Sequence, residues 1–295
     1  MNGRVRIGIV GAGGNTKAKH IPGFQAIDGV SVDLVCNRSE ASSRKVADEF
    51  DIPRIAEKWE AVVADPEIDA ICIGTWPYLH APIAIAALKA GKHVLTEARI
   101  AMNASEATAM LKASQEHPKL VAQVVPSPFT LRWDRTIQKL LSSGELGDLR
   151  EARFIKSLAA NVDSQAEMSW RQNVEYSGNN TLMFGIYYEP LQRWLGKEPK
   201  RVLAKGSIFT LERRNAESGS MESVCIPETV TVIAEYENGM QLIGVMSGLE
   251  QGASNDEYVI CGSKGSLRLD LNASRLTLSK LGEPDHRIEP LIEDE

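Results

Sequence analysis

Short runs of branched apolar residues alternate with longer stretches of helical periodicity over the first 125 residues. Arg4 to Val10, Val32 to Cys36, Ala70 to Gly74, His93 to Leu95 and Leu120 to Val125 read as strands. Between them, Thr16 to Ile27, Glu40 to Phe50, Leu79 to Ala90 and Ala104 to His117 read as helices. Ser39 stands where an N-cap belongs, and Asn103 with Glu106 three places on fits a capping box. Strand and helix in strict alternation predict a parallel sheet covered by helices on both faces.

From about Val125 the pattern changes. Pro126 and Pro128 interrupt it, and a helix from Leu131 to Ser143 leads into Gly144-Glu145-Leu146-Gly147. A domain boundary is expected there, giving domains 1–125 and 126–295. The second part has one helical stretch, Asn180 to Leu195, and then paired strand runs. Thr229 to Tyr236 and Gln241 to Met246 flank a turn at Glu237-Asn238-Gly239, and Tyr258 to Cys261 meets Ser266 to Leu271 across Ser263-Lys264-Gly265. The expected fold class is α/β, a dinucleotide-binding domain followed by an α+β domain with an open, mostly antiparallel sheet. One face of that sheet should carry the helix and leave the other to a partner subunit. The acidic tail Glu293-Asp294-Glu295 is expected to be disordered.

Composition narrows the function classes. With 43% hydrophobic and 24% charged residues, 295 residues suffice for two domains with cores of their own. A net charge of −6 offers no basic field for nucleic acid or anionic lipid. No apolar run approaches the roughly 18 to 20 residues of a membrane span, and no signal segment opens the chain, so a cytoplasmic protein is expected. Cys36, Cys72, Cys225 and Cys261 are widely spaced and read as reduced thiols, and no cluster has metal-ligand spacing.

Directly after the first strand comes Gly11-Ala12-Gly13-Gly14-Asn15-Thr16, opening a helix. Strand, glycine turn and helix in that order form a phosphate cradle: Gly11 permits the tight turn, Gly13 lets backbone approach a pyrophosphate, and the helix start aims N–H groups at it. Thr16 occupies the place of the third glycine, so slightly looser helix-to-strand packing is expected. The second strand ends in Cys36-Asn37-Arg38-Ser39. An NAD site usually has a carboxylate there for the ribose hydroxyls. Its absence, with Arg38 and Ser39 suited to a 2′-phosphate and Asn37 neutral, makes NADP the preferred cofactor and NAD the second choice.

Residues 75–103 read TWPYLHAPIAIAALKAGKHVLTEARIAMN. With Gly144-Glu145-Leu146-Gly147 and Cys261-Gly262-Ser263-Lys264-Gly265, this resembles the glucose–fructose oxidoreductase, inositol dehydrogenase and rhizopine-catabolism (Gfo/Idh/MocA) family, and the likeness runs from Arg4 to about Ser279. The resemblance implies a Rossmann domain, an open-faced α/β domain whose sheet forms oligomer contacts, an active site between the two, and a sugar or polyol substrate. It implies cofactor contacts from Thr75, Trp76, His80 and Glu97, with the indole of Trp76 beside the nicotinamide. A homodimer or homotetramer is expected.

The family's catalytic letters are altered here. Trp76 replaces a proline, the Glu-Lys-Pro run has become Glu97-Ala98-Arg99, and the Asp-x-Gly-x-x-x-His-like set on the second-domain helix leaves Met183 at the aspartate position and Tyr187 near the histidine position. Methionine and alanine cannot move protons. Tyr187 and Tyr188 with Arg99 remain, so Tyr187 is expected to exchange the substrate proton, Arg99 to lower its pKa and stabilise an oxyanion, and Asn179, Asn180 and Glu97 to orient the ligands. One of the two tyrosines reads as a core aromatic with a satisfied hydroxyl, and His80 as structural or cofactor-side before a base. His20 and His93 carry no catalytic assignment. Trp170-Arg171-Gln172-Asn173 lies in a polar loop whose mix suits a sugar and equally fits a plain surface loop. Three functions compete: an NAD(P)-dependent oxidoreductase with non-standard acid–base residues, a dinucleotide-binding protein whose chemistry is lost, and an enzyme that recycles tightly bound NAD(P) to eliminate or hydrolyse a sugar derivative.

Overall fold

The computed structural model describes residues 4–292 except 217 and 253; the acidic tail at 293–295 lies outside them. The chain forms two compact units, Met1–Val125 with Glu175–Asn179, and Pro126–Val174 with Asn180–Glu295.

The first unit holds a six-stranded sheet of β1 (Val5–Val10), β2 (Val30–Cys36), β3 (Arg54–Ile55), β4 (Ala70–Ile73), β5 (His93–Thr96) and β6 (Ala122–Val124). Their spatial order is β3-β2-β1-β4-β5-β6 and every pairing is parallel. This is the Rossmann order, in which strand progression reverses between β1 and β4 and opens a crevice at their carboxyl ends. Helices α1 (Ile21–Gln25), α2 (Glu40–Phe50), α3 (Trp59–Ala64), α4 (His80–Lys89) and α5 (Ala104–Glu116) connect the strands. Two apolar clusters flank the sheet, one holding Ile9, Ile21, Val35 and Val46, the other Val62, Ile71, Ile83 and Leu88. Ser39 caps α2 in a reciprocal box with Ser42, and Asn103 caps α5 by accepting from the Glu106 N–H. Cys36 and Cys72 are buried thiols, and burial pushes the Cys72 pKa up to about 12.

The first helix departs from the regular helix expected over Thr16–Ile27. Thr16–His20 is a π-turn that interrupts the helix after Gly14 and Asn15, and α-helical geometry resumes at Ile21. Pro22 has no N–H to return to the carbonyl of Ala18, and the Ile21 N–H reaches back to the Thr16 carbonyl instead.

The second unit contains α6 (Asp134–Ser142), β7 (Leu149–Ser157), α8 (Phe184–Leu195), β8 (Arg201–Ser207), β11 (Thr229–Glu235), β12 (Gln241–Ser247), β13 (Asp256–Gly262), β14 (Ser266–Asp270), β15 (Arg275–Ser279) and β16 (His286–Ile288). The short helix α7 (Val174–Ser177) precedes α8, and β9 (Glu212–Arg214) pairs with β10 (Met221–Ser223) as a separate ribbon. The eight strands lie in the order β16-β15-β14-β13-β7-β12-β11-β8. Neighbours are antiparallel except β7 and β12, which run parallel in the middle. On one face Phe154, Met246, Tyr258, Ile260 and Leu269 form a core with Tyr187, Leu191 and Trp194 of α8. On the other, Leu203 and Ile233 face each other across β8 and β11, 71% and 45% exposed.

Candidate functional site

The glycine turn follows β1 directly and is held by its neighbours. Gly11, at φ +85°, donates its N–H to the Cys36 carbonyl at 2.8 Å, and a Cβ on it would come within 2.6 Å of the Thr75 nitrogen. Gly74, which ends β4, bonds back to Val10, and a Cβ there would collide with Thr16 Oγ1 and the Gly11 carbonyl. Buried Thr16, donating to the Gly11 carbonyl at 3.2 Å, therefore fits the third fingerprint position because Gly74 leaves room for it. Packing expected to loosen is instead close.

Gly13 and Gly14 are different. Both are exposed, neither has a positive φ, Gly13 would place a Cβ no nearer than 3.8 Å to another residue, and Gly14 would meet nothing within 4 Å. Nothing within the described protein requires glycine at these two places.

At the end of β2, Asn37 Oδ1 accepts the Ala12 N–H at 2.7 Å while its Nδ2 donates to the Ser42 carbonyl at 3.2 Å. Asn37 thus fastens the glycine turn to the start of α2, and the Ser39 hydroxyl is occupied as the cap of that helix. Of the three residues expected around a 2′-phosphate, two have side chains engaged in local structure, and exposed Arg38 is the one cation.

At the carboxyl ends of β4 and β5, buried His80 braces the two following loops. Its Nδ1 lies 2.8 Å from the Arg99 carbonyl and its Nε2 3.0 Å from the Thr75 carbonyl. Burial holds its pKa below the ordinary histidine value. Both ring nitrogens are taken up by main chain, which makes this histidine a brace. Residues 175–179 of the later chain lie on the same unit: the Asn179 N–H donates to the Met102 carbonyl at 3.0 Å, and Arg99 Nη1 donates to Ser177 Oγ at 3.4 Å. Tyr176 brings its ring within 4.8 Å of Trp76 and 5.7 Å of Tyr78, forming an aromatic wall. The Ala98–Arg99 peptide is cis.

Glu97, the first residue after β5, joins this edge to the glycine turn. Its Oε1 accepts from Asn15 Nδ2 and lies 2.6 Å from His20 Nε2. Burial works to raise the Glu97 carboxyl, but the hydrogen bonds from His20 and Asn15 outweigh it and hold the group below the usual carboxylate range. The π-turn makes this meeting possible. In an α-helix, residues five apart point about 140° away from each other, whereas an i→i+5 turn returns Asn15 and His20 to one side. His20 carries no catalytic assignment from sequence; its partner is 77 residues away, so no spacing motif signals the pair.

In the second unit, Tyr187 sits in the core, 1% exposed. Its hydroxyl donates to Asp256 Oδ1 at 2.8 Å, and Asp256 is paired with Lys156 at 2.5 Å. Burial and the Asp256 charge both push the Tyr187 pKa up, the reverse of the lowering that acid–base work at neutral pH requires. The Tyr188 hydroxyl donates to Gln192 Oε1 at 2.7 Å, and burial raises its pKa as well. Phenols so placed keep their protons, and the role expected of Tyr187 and Tyr188 has no support in their surroundings. Asn180 is half-buried between α7 and α8. The loop before α7 carries Trp170, with the Arg171 guanidinium 4.3 Å from the ring centre. Buried Arg213 fixes this loop by donating to the carbonyls of Asn161, Asp163 and Ala166 and pairing with buried Glu228. Among the described residues no group of three or more His, Cys, Asp or Glu could hold a metal ion.

Sequence and structure comparisons identify the family and the fold. The model of an oxidoreductase family with an NAD-binding Rossmann fold, GFO/IDH/MocA, matches residues 5–124, and that of the GFO/IDH/MocA C-terminal domain matches residues 135–268. An uncharacterized oxidoreductase, ORF334 of Rhizobium meliloti, is 28% identical over 213 residues, covering 71% of this chain and 62% of that protein. Levoglucosan dehydrogenase of Pseudarthrobacter phenanthrenivorans is 24% identical over 256 residues, 79% of this chain and 63% of the relative. The chain thus spans less than two thirds of either. A solved levoglucosan dehydrogenase in complex with NADH and L-sorbose superposes with a TM-score of 0.83 at 21% identity, over 97% of this chain and 80% of that one.

Proposed function

The chain belongs to the GFO/IDH/MocA family of oxidoreductases with an NAD-binding Rossmann fold, and on that premise we propose that it is an NADP-preferring oxidoreductase of small carbohydrate-like hydroxy or carbonyl compounds. The observation that carries the reading is the pair Gly13 and Gly14. Glycine in an exposed turn loses more conformational freedom on folding than any other residue, and here no internal contact demands it. A ligand that must touch the backbone does. The turn lies at the carboxyl end of β1, beside the reversal of strand order where dinucleotides bind such sheets.

A dinucleotide placed there would have its pyrophosphate against the N–H groups of Gly13, Gly14 and Asn15. Its adenosine end would meet Arg38 with no carboxylate nearby at position 37 to repel a 2′-phosphate, and its nicotinamide half would meet Thr75, Trp76 and Glu97. When bound, the cofactor supplies or accepts hydride. The aromatic wall of Trp76, Tyr78 and Tyr176 suits the C–H face of a sugar ring, and the relative named levoglucosan dehydrogenase supports a carbohydrate-like substrate. The exposed apolar row at Leu203 and Ile233 supports a homo-oligomer formed through the open sheet face.

The experiment is a titration with NADPH and NADH, followed by nicotinamide fluorescence, on the wild type and on Arg38→Ala. The variant should lose about tenfold or more of its NADPH affinity while its NADH affinity changes little, since one charge-assisted contact to phosphate is worth roughly 1.5–3 kcal/mol. Equal weakening for both cofactors would remove Arg38 from 2′-phosphate recognition. Ala98 and Met183, which replace the family's proton-moving letters, favour a second reading in which cofactor binding survives without chemistry. NADPH bound tightly, with no oxidation across a panel of sugars, polyols and ketones, would select it.

A further inference from the structure

His20 and Glu97 have the construction of an acid–base pair. Catalytic bases are recognised by an imidazole of which one nitrogen is fixed by a carboxylate while the other is open to a reacting proton. Here His20 Nε2 is bonded to Glu97 Oε1 at 2.6 Å, and Glu97 is held in its ionised form by that bond and by Asn15. Nδ1 has no hydrogen-bond partner among the described residues. The ring is fixed from one side by Phe24, at 6.3 Å between centres. Lys17, on the same turn, is paired with Glu49 at 2.6 Å. The side chains are largely but not wholly buried, 14% and 16% exposed, as a pair that must exclude bulk water yet meet a ligand should be.

The alternatives on the same unit are occupied or inert. Both nitrogens of His80 face main-chain carbonyls, Ala98 has no ionisable group, and the Arg99 guanidinium stays protonated at working pH. His20 reaches the edge of the sheet through the π-turn, a distortion that recurs at functional sites.

We propose that His20 and Glu97 form the proton-transfer dyad of this enzyme, with His20 as the catalytic base in alcohol oxidation and the acid in carbonyl reduction. This rests on the dinucleotide reading above. In oxidation, neutral His20 would take the hydroxyl proton at Nδ1, and a bound oxidised nicotinamide would supply the hydride acceptor for the carbinol carbon. The C–H and O–H bonds break, the carbonyl double bond forms, and the resulting imidazolium is neutralised by Glu97. In reduction the same proton returns to the new hydroxyl. Asn15 is a positioning residue, holding the carboxylate from the glycine turn.

The test uses His20→Asn, His20→Ala and Glu97→Gln in the full chain, with dinucleotide affinity read by fluorescence beside turnover of the best substrate. His20→Asn should keep NAD(P)H affinity within about threefold and lose about 10²–10⁴ in turnover, the usual contribution of general acid–base catalysis. Free imidazole should restore part of the His20→Ala activity, which a purely structural histidine would not allow. Glu97→Gln should lower turnover in the same direction and leave the His20→Asn variant no slower when the two are combined, because the dyad acts as a unit. Turnover of His20→Asn within threefold of the wild type, with dinucleotide bound, would overturn the dyad alone. Failure of the wild type to bind either dinucleotide would overturn the cofactor reading as well.

Discussion

Tyr187→Phe separates a core residue from a catalytic one. The ring is packed among Phe129, Phe154 and Tyr258, with centre distances of 5.5, 5.8 and 5.8 Å, and phenylalanine retains all of that packing. What the substitution removes is one O–H bond of 2.8 Å to the Asp256 carboxylate. A hydrogen bond to a charged group contributes about 1.5–3 kcal/mol. Asp256 keeps its ion pair with Lys156 at 2.5 Å, so no unpaired charge is left behind and the lower half of that range, roughly 1.5–2 kcal/mol, applies. For a unit of this size each kcal/mol lowers the melting temperature by about 2–4 °C, so calorimetry should show a fall of roughly 3–8 °C. Turnover at 25 °C should stay within about threefold of wild type, since no reacting proton depends on this hydroxyl. A hundredfold loss of turnover with an unchanged melting temperature would refute the assignment and return Tyr187 to the chemistry.

Two further predictions follow from the same unit. Burial raises the pKa values of Tyr187, Tyr236 and Tyr258, so the native state holds these protons while the unfolded chain releases them near pH 10. Their contribution to stability is fully present below pH ~10 and is lost as pH rises above it; of the six tyrosines, the last to ionise in an alkaline titration should do so only together with loss of circular dichroism, and ionisation of all six in a still-folded protein would contradict this. Arg213→Met should destabilise by about 3–5 kcal/mol, because it leaves buried Glu228 unpaired and releases the carbonyls of the 159–173 loop. Denaturant unfolding checks it, and a loss under 1 kcal/mol would mean the loop is held by other contacts.

Much of the first unit was legible because its signals are local. Most of the parallel strands are short apolar runs, α2 and α5 carry side-chain caps, and the glycine turn stands in sequence next to the strand it terminates. Arg54–Ile55 and Trp59–Ala64 escaped because two and six residues are too short to show a period. Strand β7 escaped for another reason. In Leu149–Ser157 the charged residues Arg150, Glu151, Arg153 and Lys156 mask the inward pair Ala152 and Phe154, and its parallel pairing with β12 joins segments some ninety residues apart. At the site, residues that act through backbone or neighbours in sequence could be read, Glu97 among the candidates, while its pairing with His20 depends on a π-turn that only the three-dimensional path reveals. For Tyr187, helix position alone allowed both core and catalytic roles. Its burial and its bond to Asp256 are tertiary facts.

The central claim is that the turn at Gly11 to Thr16 exists to hold a dinucleotide, and Gly13→Ala tests it most directly. The added methyl has room in the protein, its nearest neighbour being the Gly74 carbonyl at 3.8 Å, yet it would stand where backbone must approach a pyrophosphate. Titration of nicotinamide fluorescence should show affinity weakened by at least about tenfold, or ~1.4 kcal/mol, with an unchanged melting temperature. Wild-type affinity in the Gly13→Ala protein would contradict the account.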